Sequence, residues 1–496
     1  MTEAVDPMRA NQERTAKRSV DFLAMLALAL TLFAWAPLLA PFSFRAHDWR
    51  HALFYAVEFA QSVAEGVLVP RWGPDFAFGR GYPVFVFYSP LSLYIVHSFR
   101  QVGFGVVGSV KAAYVVGFLF GAAGMYRLAR RWFGRQGALV ATVLFTYLPY
   151  HLVDIYVRGA LAEFWALAWF PWTFLAGEAL IVRPSRRTVA AFGATYGGLV
   201  WLHSLSAILV TPFVGLFMAI RWAMMAWRED HKRAWSSAVA GVAGVGLGLW
   251  IAVGFLVPNA AEQRYIVLEQ WTANNYQYDK QFVYPSQFLS PFWDFGYAVE
   301  GPNDGMAFQV GVVGVVTAAT AVWLALRRAL DRRETVIVAL CGSLLLFVLW
   351  AMTPASTPLW RALPPLQFVQ FPWRLLGVAV VFTAALGGAV GAWGGTTRDP
   401  TSGCSRGRPR GVERGGLVTL HGAPIHAPEP ARGNGVGALR LRARVPGHGR
   451  LLGDQPSATR RFAHGLPIRG RPTAPEVPRR GRRRGRGAAP IPGYLR

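Results

Sequence analysis

The sequence predicts an all-α, polytopic membrane protein of about ten spans, with a helical loop on its outer face and a disordered basic C-terminal tail. Three observations carry this. Only 16% of the 496 residues are charged and 53% are hydrophobic, with 19 Trp and 33 Phe, whereas soluble domains carry about 25% charged residues. Apolar runs of spanning length recur from Phe22 to Gly391. The basic loops between them alternate with loops that are poor in Lys and Arg. A soluble enzyme is thereby excluded. Two cysteines, Cys341 and Cys404, are too few for a disulfide framework or a Cys-rich metal site.

The net charge of +25 suggests nucleic acid until its distribution is read. The last 99 residues hold 21 Arg, no Lys and 5 acidic residues, together with 18 Gly and 13 Pro. Residues 393–496 are therefore assigned to a tail rich in Arg, Gly and Pro that packs no core. Two readings of it compete. One is a genuine basic segment touching anionic lipid or RNA. The other is an out-of-frame translation, since the codons for Arg, Gly, Pro and Ala are all GC-rich. No nucleic acid is expected for residues 1–392.

In chain order, residues 1–21 form a basic N-terminus, expected on the cytoplasmic side. Phe22–Ala40 then reads as a signal anchor, because no small-residue cleavage pattern follows it. Further spans are expected at Val110–Ala129, Gly137–Tyr150, Glu163–Val182, Thr188–Leu202, Leu205–Trp222, Trp235–Val257, Phe308–Leu326, Thr335–Met352 and Arg374–Gly391. Val84–Phe99 contains Pro90 and follows Pro83. Counting it as a span would put Arg130–Arg135 and Arg183–Arg187 outside, so it reads as interfacial or re-entrant. The outer loops are then 41–83, 151–162, 258–307 and 353–373, and the membrane domain is 22–392.

The first outer loop carries the clearest pattern. Asp48, His51, Tyr55, Glu58, Ser62 and Glu65 recur at spacings of 3 and 4, one seam of a helix. Trp49, Leu53, Ala56, Ala60, Val63 and Ala64 form the opposite face, expected to lie on the membrane. Pro70–Asp75 and Gly79–Pro83 punctuate a compact loop. Within it Arg71 offers a fork of donors to a phosphate, while Trp72 and Tyr82 suit a sugar ring or the aromatic belt. Asp154, Arg158 and Glu163 read either as a satisfied ion-pair cluster or as acidic groups lining an outer cavity. His203 lies between two spans and reads as a turn or a ligand. Arg374 opens the last span, suited to a headgroup or a lipid phosphate. No metal site and no nucleotide-type Gly loop is evident, so no cofactor is expected, and a divalent metal finds no support in the spacing.

A first span, an outer loop opening at Asp48, a surface helix, then Pro70-Arg71-Trp72 and Tyr88-Ser89-Pro90-Leu91 resemble the multi-span glycosyltransferases of the GT-C fold. Gly79–Leu91, Tyr147–Glu163 and Gln370–Leu376 resemble, more closely, the bacterial membrane proteins labelled 6-pyruvoyl-tetrahydropterin synthase-related domain. The resemblance covers about residues 20–392. It does not extend to the zinc histidines of the soluble pterin enzyme. It implies a GT-C-like bundle in the bacterial inner membrane that moves a sugar from a polyprenyl-phosphate donor to an outer-face acceptor. Asp48 would act as general base or orient the acceptor, and Asp154 or Glu163 would be the second acid. His51, Arg71, Trp72, Tyr82, Tyr88, Arg158, His203 and Arg374 would bind substrate. The GT-C class commonly continues beyond residue 392 with further spans or an outer domain. The alternatives are a lipid or solute transporter and a truncated, non-catalytic relative.

Overall fold

A computed structural model describes residues 21–227, 231–267, 276–303 and 305–396. The tail expected at 393–496 lies outside them from residue 397 on, as does the N-terminal segment before Asp21. The described residues are helical, with two isolated β-bridges. The main elements are α1 (Phe22–Leu30, prolonged by short helical pieces to Leu39), α2 (Trp49–Ala64), α3 (Leu91–Gln101), α4 (Val106–Tyr147), α5 (Leu161–Val182), α6 (Arg186–Leu202), α7 (Ser204–Ala226), α8 (His231–Glu262), α9 (Val312–Leu326), α10 (Arg332–Ala351) and α11 (Leu376–Thr396).

Among the described residues, seven helical segments are long and apolar enough to cross a membrane. Of the ten runs expected from the sequence, two form shorter helices and two others are joined through a kink. α6 has 17 residues and α9 has 15. The runs Val110–Ala129 and Gly137–Tyr150 fall in one continuous assignment, the 42-residue α4. A straight helix of that length would be about 60 Å, twice the hydrocarbon thickness. It is not straight. Gly134 has φ 71° and ψ −170°, a backbone state that only glycine adopts without strain. The chain folds back there, so the Phe145 ring packs against Gly121.

Val84–Phe99 is likewise no single helix. Val84–Phe87 ends before Pro90, and α3 starts after it. An 11-residue helix is about 16 Å long and does not cross. α8 runs on to Glu262 and α11 to Thr396, beyond the ends expected for those spans.

α11 and α5 are the inner helices: 89% and 72% of their apolar windows are buried, against 22–28% for α1, α7 and α8. Small residues allow this. Gly137 of α4 faces Gly388 of α11 so closely that a Cβ would meet the Gly388 carbonyl, the close backbone approach typical of helices in lipid. On the side of the basic loops, Asp21 caps α1 and pairs with Arg130 at 2.8 Å and Arg135 at 3.6 Å, joining the first span to the hairpin turn. Within the bundle, Glu178 of α5 is fully buried and accepts two hydrogen bonds from Arg221 of α7, at 3.0 and 2.8 Å. A paired buried acid of this kind does not suggest ion coupling.

α2 forms where its 3–4 spacing places it, but its faces differ from the expectation. Trp49, Ala52, Ala56, Phe59 and Ala60 are buried against protein. Glu58 and Ser62, expected on a solvated seam, are buried too. The Glu58 carboxylate accepts the Asp75 backbone N–H at 3.0 Å, and the Ser62 hydroxyl donates to the Trp72 carbonyl at 3.4 Å. The polar seam is the seat of the 70–83 loop. Phe54 and Val57 occupy the exposed side instead.

Candidate functional site

Between α4 and α5 the chain makes one compact turn. Leu148 ends α4, and Pro149 opens a short helix to Val153, the position where a missing N–H costs nothing. Asp154–Arg158 then widens to a π-type turn, a geometry found often at functional sites. Gly159 closes the turn at φ 64°, and a Cβ there would lie 2.9 Å from the Ala46 Cβ and 3.1 Å from the Trp49 nitrogen. Gly159 thus lets the segment around Ala46–Trp49 approach. His47 N–H donates to the Val157 carbonyl at 3.0 Å, and Asp48 N–H donates to the Arg158 carbonyl at 2.7 Å. Gly159→Ala is expected to cost about 1–2 kcal/mol for the left-handed backbone alone, with further loss from displacing Ala46. A thermal unfolding scan beside a control alanine substitution on a lipid-facing helix checks this.

The turn brings four ionisable side chains together. Arg158 donates to Asp154 and lies 2.7 Å from one Glu163 oxygen, and its Nη2 donates to the other at 2.8 Å. Arg374, 211 residues later, brings its Nε within 3.1 Å of Glu163 and donates Nη1 to the Val369 carbonyl at 2.9 Å. Tyr150 donates to Glu163 at 2.7 Å and accepts from Arg158 at 3.2 Å. The Arg158 guanidinium also lies 4.8 Å from the Trp373 ring centre. Asp154 is fully buried, Arg158 and Glu163 are 5% exposed, and Tyr150 is 2% exposed. Glu163 sits in the first turn of α5, where the helix dipole favours an acid. Burial drives the Asp154 carboxyl well above its usual range, and the Glu163 charge adds to this against the pull of Arg158.

Asp48 stands at the open edge of this cluster. It precedes α2 without capping it through its side chain. Its carboxylate is 3.5 Å from His51 Nδ1, and both side chains are more than half exposed. Partial burial works to raise the Asp48 carboxyl. The His51 hydrogen bond and the charges of Arg158, His51 and Arg374 outweigh it, so the carboxyl lies below its ordinary value. The Asp48 hydrogen bond raises His51 in turn, against desolvation.

The remaining sequence candidates divide. Tyr88 packs edge-on to Tyr55 of α2, centroids 4.9 Å apart, and burial raises its phenol. His203, between α6 and α7, contacts the Ser206 hydroxyl at 2.6 Å. Burial, opposed by Glu163, lowers its imidazole to about 3, so it is neutral at physiological pH. Arg71 and Trp72 are exposed and make no hydrogen bond to the charged cluster. Tyr82 is exposed and pairs backbone to backbone with Gly73. Tyr150 and Trp373 were not among the sequence candidates. The Tyr150–Glu163 spacing of 13 matches no helical period, and an aromatic residue is unremarked in a chain with 19 Trp and 16 Tyr. Among the described residues, no group of three or more His, Cys, Asp or Glu is placed to hold a metal.

The chain's likenesses are as follows. A family model described as 6-pyruvoyl-tetrahydropterin synthase related domain, membrane protein, matches residues 85–403. No curated protein matches the chain. Three solved structures are similar to it. One is the oligosaccharyltransferase of Archaeoglobus fulgidus in complex with Zn and sulfate: 11% identity, TM-score 0.40, covering 73% of this chain and 48% of that one. A second is AglB of the same organism with an inhibitory peptide and a dolichol-phosphate: 13% identity, TM-score 0.38, covering 74% and 50%. The third is ArnT from Cupriavidus metallidurans bound to undecaprenyl phosphate: 16% identity, TM-score 0.38, covering 74% and 77%. The chain spans about half the length of the two archaeal chains.

Proposed function

The chain belongs to the 6-pyruvoyl-tetrahydropterin synthase related family of membrane proteins, and from that premise we propose that it is a membrane glycosyltransferase of GT-C-like architecture. It transfers a sugar from a polyprenyl-phosphate donor to an acceptor on the outer face of the bacterial inner membrane, with its N-terminus in the cytoplasm. One observation carries the reading. A half-exposed, ionised carboxylate, Asp48, is held by its own backbone against a buried cluster of two arginines and two acids.

The chemistry follows from those positions. The acceptor hydroxyl hydrogen-bonds to Asp48 and attacks the anomeric carbon. The new C–O bond forms as the bond to the phosphate oxygen breaks, and the phosphate leaves with the electron pair. Asp48 takes the hydroxyl proton as the oxygen becomes acidic in the transition state. Arg374 supplies positive potential to the leaving phosphate. Arg158 is spent on Asp154 and Glu163, so its role is to position Asp48 through its carbonyl. Neutral His203 serves as a hydrogen-bond donor or acceptor. Incubating the purified protein with labelled polyprenyl-phosphate sugar and an acceptor extract tests the reading; no Asp48-dependent transfer with any donor would overturn it.

The Asp48–His51 pair gives a pH signature. Asp48, lowered, favours the fold above its ordinary value of 3.8 and loses that contribution as pH falls through its lowered one. His51, raised, contributes below 6.5 and loses this as pH rises through its raised value. Both side chains are exposed, so the pair adds little stability. The expected effect is on rate: His51→Ala moves the acid limb of the pH–rate profile to higher pH. An unmoved limb would detach His51 from the base.

A further inference from the structure

Lys111 of α4 is 7% exposed, yet among the described residues no carboxylate is in ion-pair contact with it. Its ammonium donates to the carbonyls of Ala40 and Phe42, each at 2.5 Å, just past the end of the first span. Five residues into α4, it lies about 8 Å from the start of that helix, beside the end of the first span. An unneutralised cation buried there is costly unless something compensates it. Two carbonyl oxygens accept hydrogen bonds from two of its three N–H groups and supply no counter-charge.

A cavity of about 440 Å³ opens beside it. Leu39, Phe104, Val107, Val115 and Val116 line its walls, and Lys111 is the charged residue in the lining. None of these residues belongs to the Asp48 cluster. Leu39, Phe42, Val102 and Phe104 are exposed around it. A point charge at the head of an apolar groove is complementary to a molecule with one anionic oxygen group and a hydrocarbon tail.

We infer that Lys111 and this groove form a binding site for an anionic phospholipid of the outer leaflet, with its phosphate on the ammonium and one acyl chain along Val107, Val115 and Val116. The site is separate from the one proposed for transfer; its place in the outer leaflet rests on the orientation proposed there. The lipid completes the charge balance that the protein leaves open, and it pins the α1 end to α4.

The test is native mass spectrometry of the full chain in detergent, titrated with phosphatidylglycerol, phosphatidylcholine or undecaprenyl phosphate. Wild type is expected to retain one phosphatidylglycerol with about tenfold preference over phosphatidylcholine. Lys111→Met should abolish the preference and Lys111→Arg should keep it. Gly108→Leu fills the groove while leaving the ammonium and its carbonyl bonds in place; a Cβ at Gly108 meets nothing closer than Phe104 at 3.5 Å. It too should abolish retention without lowering the unfolding temperature. Unchanged retention in Lys111→Met overturns the site. Loss in Lys111→Met with unchanged retention in Gly108→Leu reduces the lysine to a cap for the α1 end. Selection of undecaprenyl phosphate over phosphatidylglycerol overturns the assignment to a phospholipid.

Discussion

Asp48→Asn is expected to lower sugar transfer by about 10²- to 10⁴-fold, the range for loss of a general base, with the protein still folded. The expectation of an intact fold rests on geometry. The Asp48 side chain is half exposed, caps no helix and, among the described residues, pairs with His51. The link between the outer loop and the α4–α5 turn runs through the Asp48 backbone N–H, which Asn retains. Surface changes without such links stay within about 0.5 kcal/mol. Asn keeps the size and one acceptor oxygen but cannot take a proton. The fall should therefore appear in kcat, with KM for the donor little changed. If KM for the acceptor rises instead and kcat holds, Asp48 is a binding group and the base lies elsewhere. If neither moves, the proposed site is wrong.

What could be read in the sequence follows the reach of each signal. α2 was legible because spacings of 3 and 4 over 18 residues mark one helix. Its faces were misread at Glu58 and Ser62, because a period shows which residues share a face and not what covers it. Here the cover is the backbone of Trp72 and Asp75. Asp154, Arg158 and Glu163 were visible as a group within ten residues. Arg374 joined them only through folding, since no local pattern links positions 163 and 374. The reversal at Gly134 was legible as the basic stretch Arg130–Arg135 between two apolar runs, while the residue that makes it depends on φ, which composition does not carry. Arg71 and Trp72 stood beside Asp48 as substrate-binding candidates, since Pro and Gly punctuation marks a loop without giving its distance from a site. The readings of residues 397–496 lie outside the described part of the chain.

Arg158→Met should be the most destabilising single change in the outer half, by about 3–5 kcal/mol, the cost of breaking a buried ion pair by removing one partner. Methionine fills similar space and can still lie on Trp373, so packing loss is small. What remains is Asp154, fully buried, and Glu163, 5% exposed, with Arg374 alone to balance both. Asp154 then takes a proton in place of its arginine. Its carboxyl already lies high in the wild type, and burial is the leading cause. A carboxyl raised on folding contributes stability below its unfolded value and loses it as pH rises toward its folded value. Removing Arg158 widens that window upward, so the variant should gain on acidification, by up to about 1.4 kcal/mol per pH unit while one extra proton is held. The double variant Arg158→Met with Glu163→Gln leaves one acid fewer and should recover part of the loss, with a coupling above about 1 kcal/mol. Reversible unfolding titrations in mixed micelles at two pH values measure all three quantities. A loss below 1 kcal/mol in Arg158→Met, with no pH dependence, would mean that water reaches the cluster and that it is an open ligand site. The buried ion-pair cluster would then be the wrong picture, and Arg158 would be free to meet a phosphate.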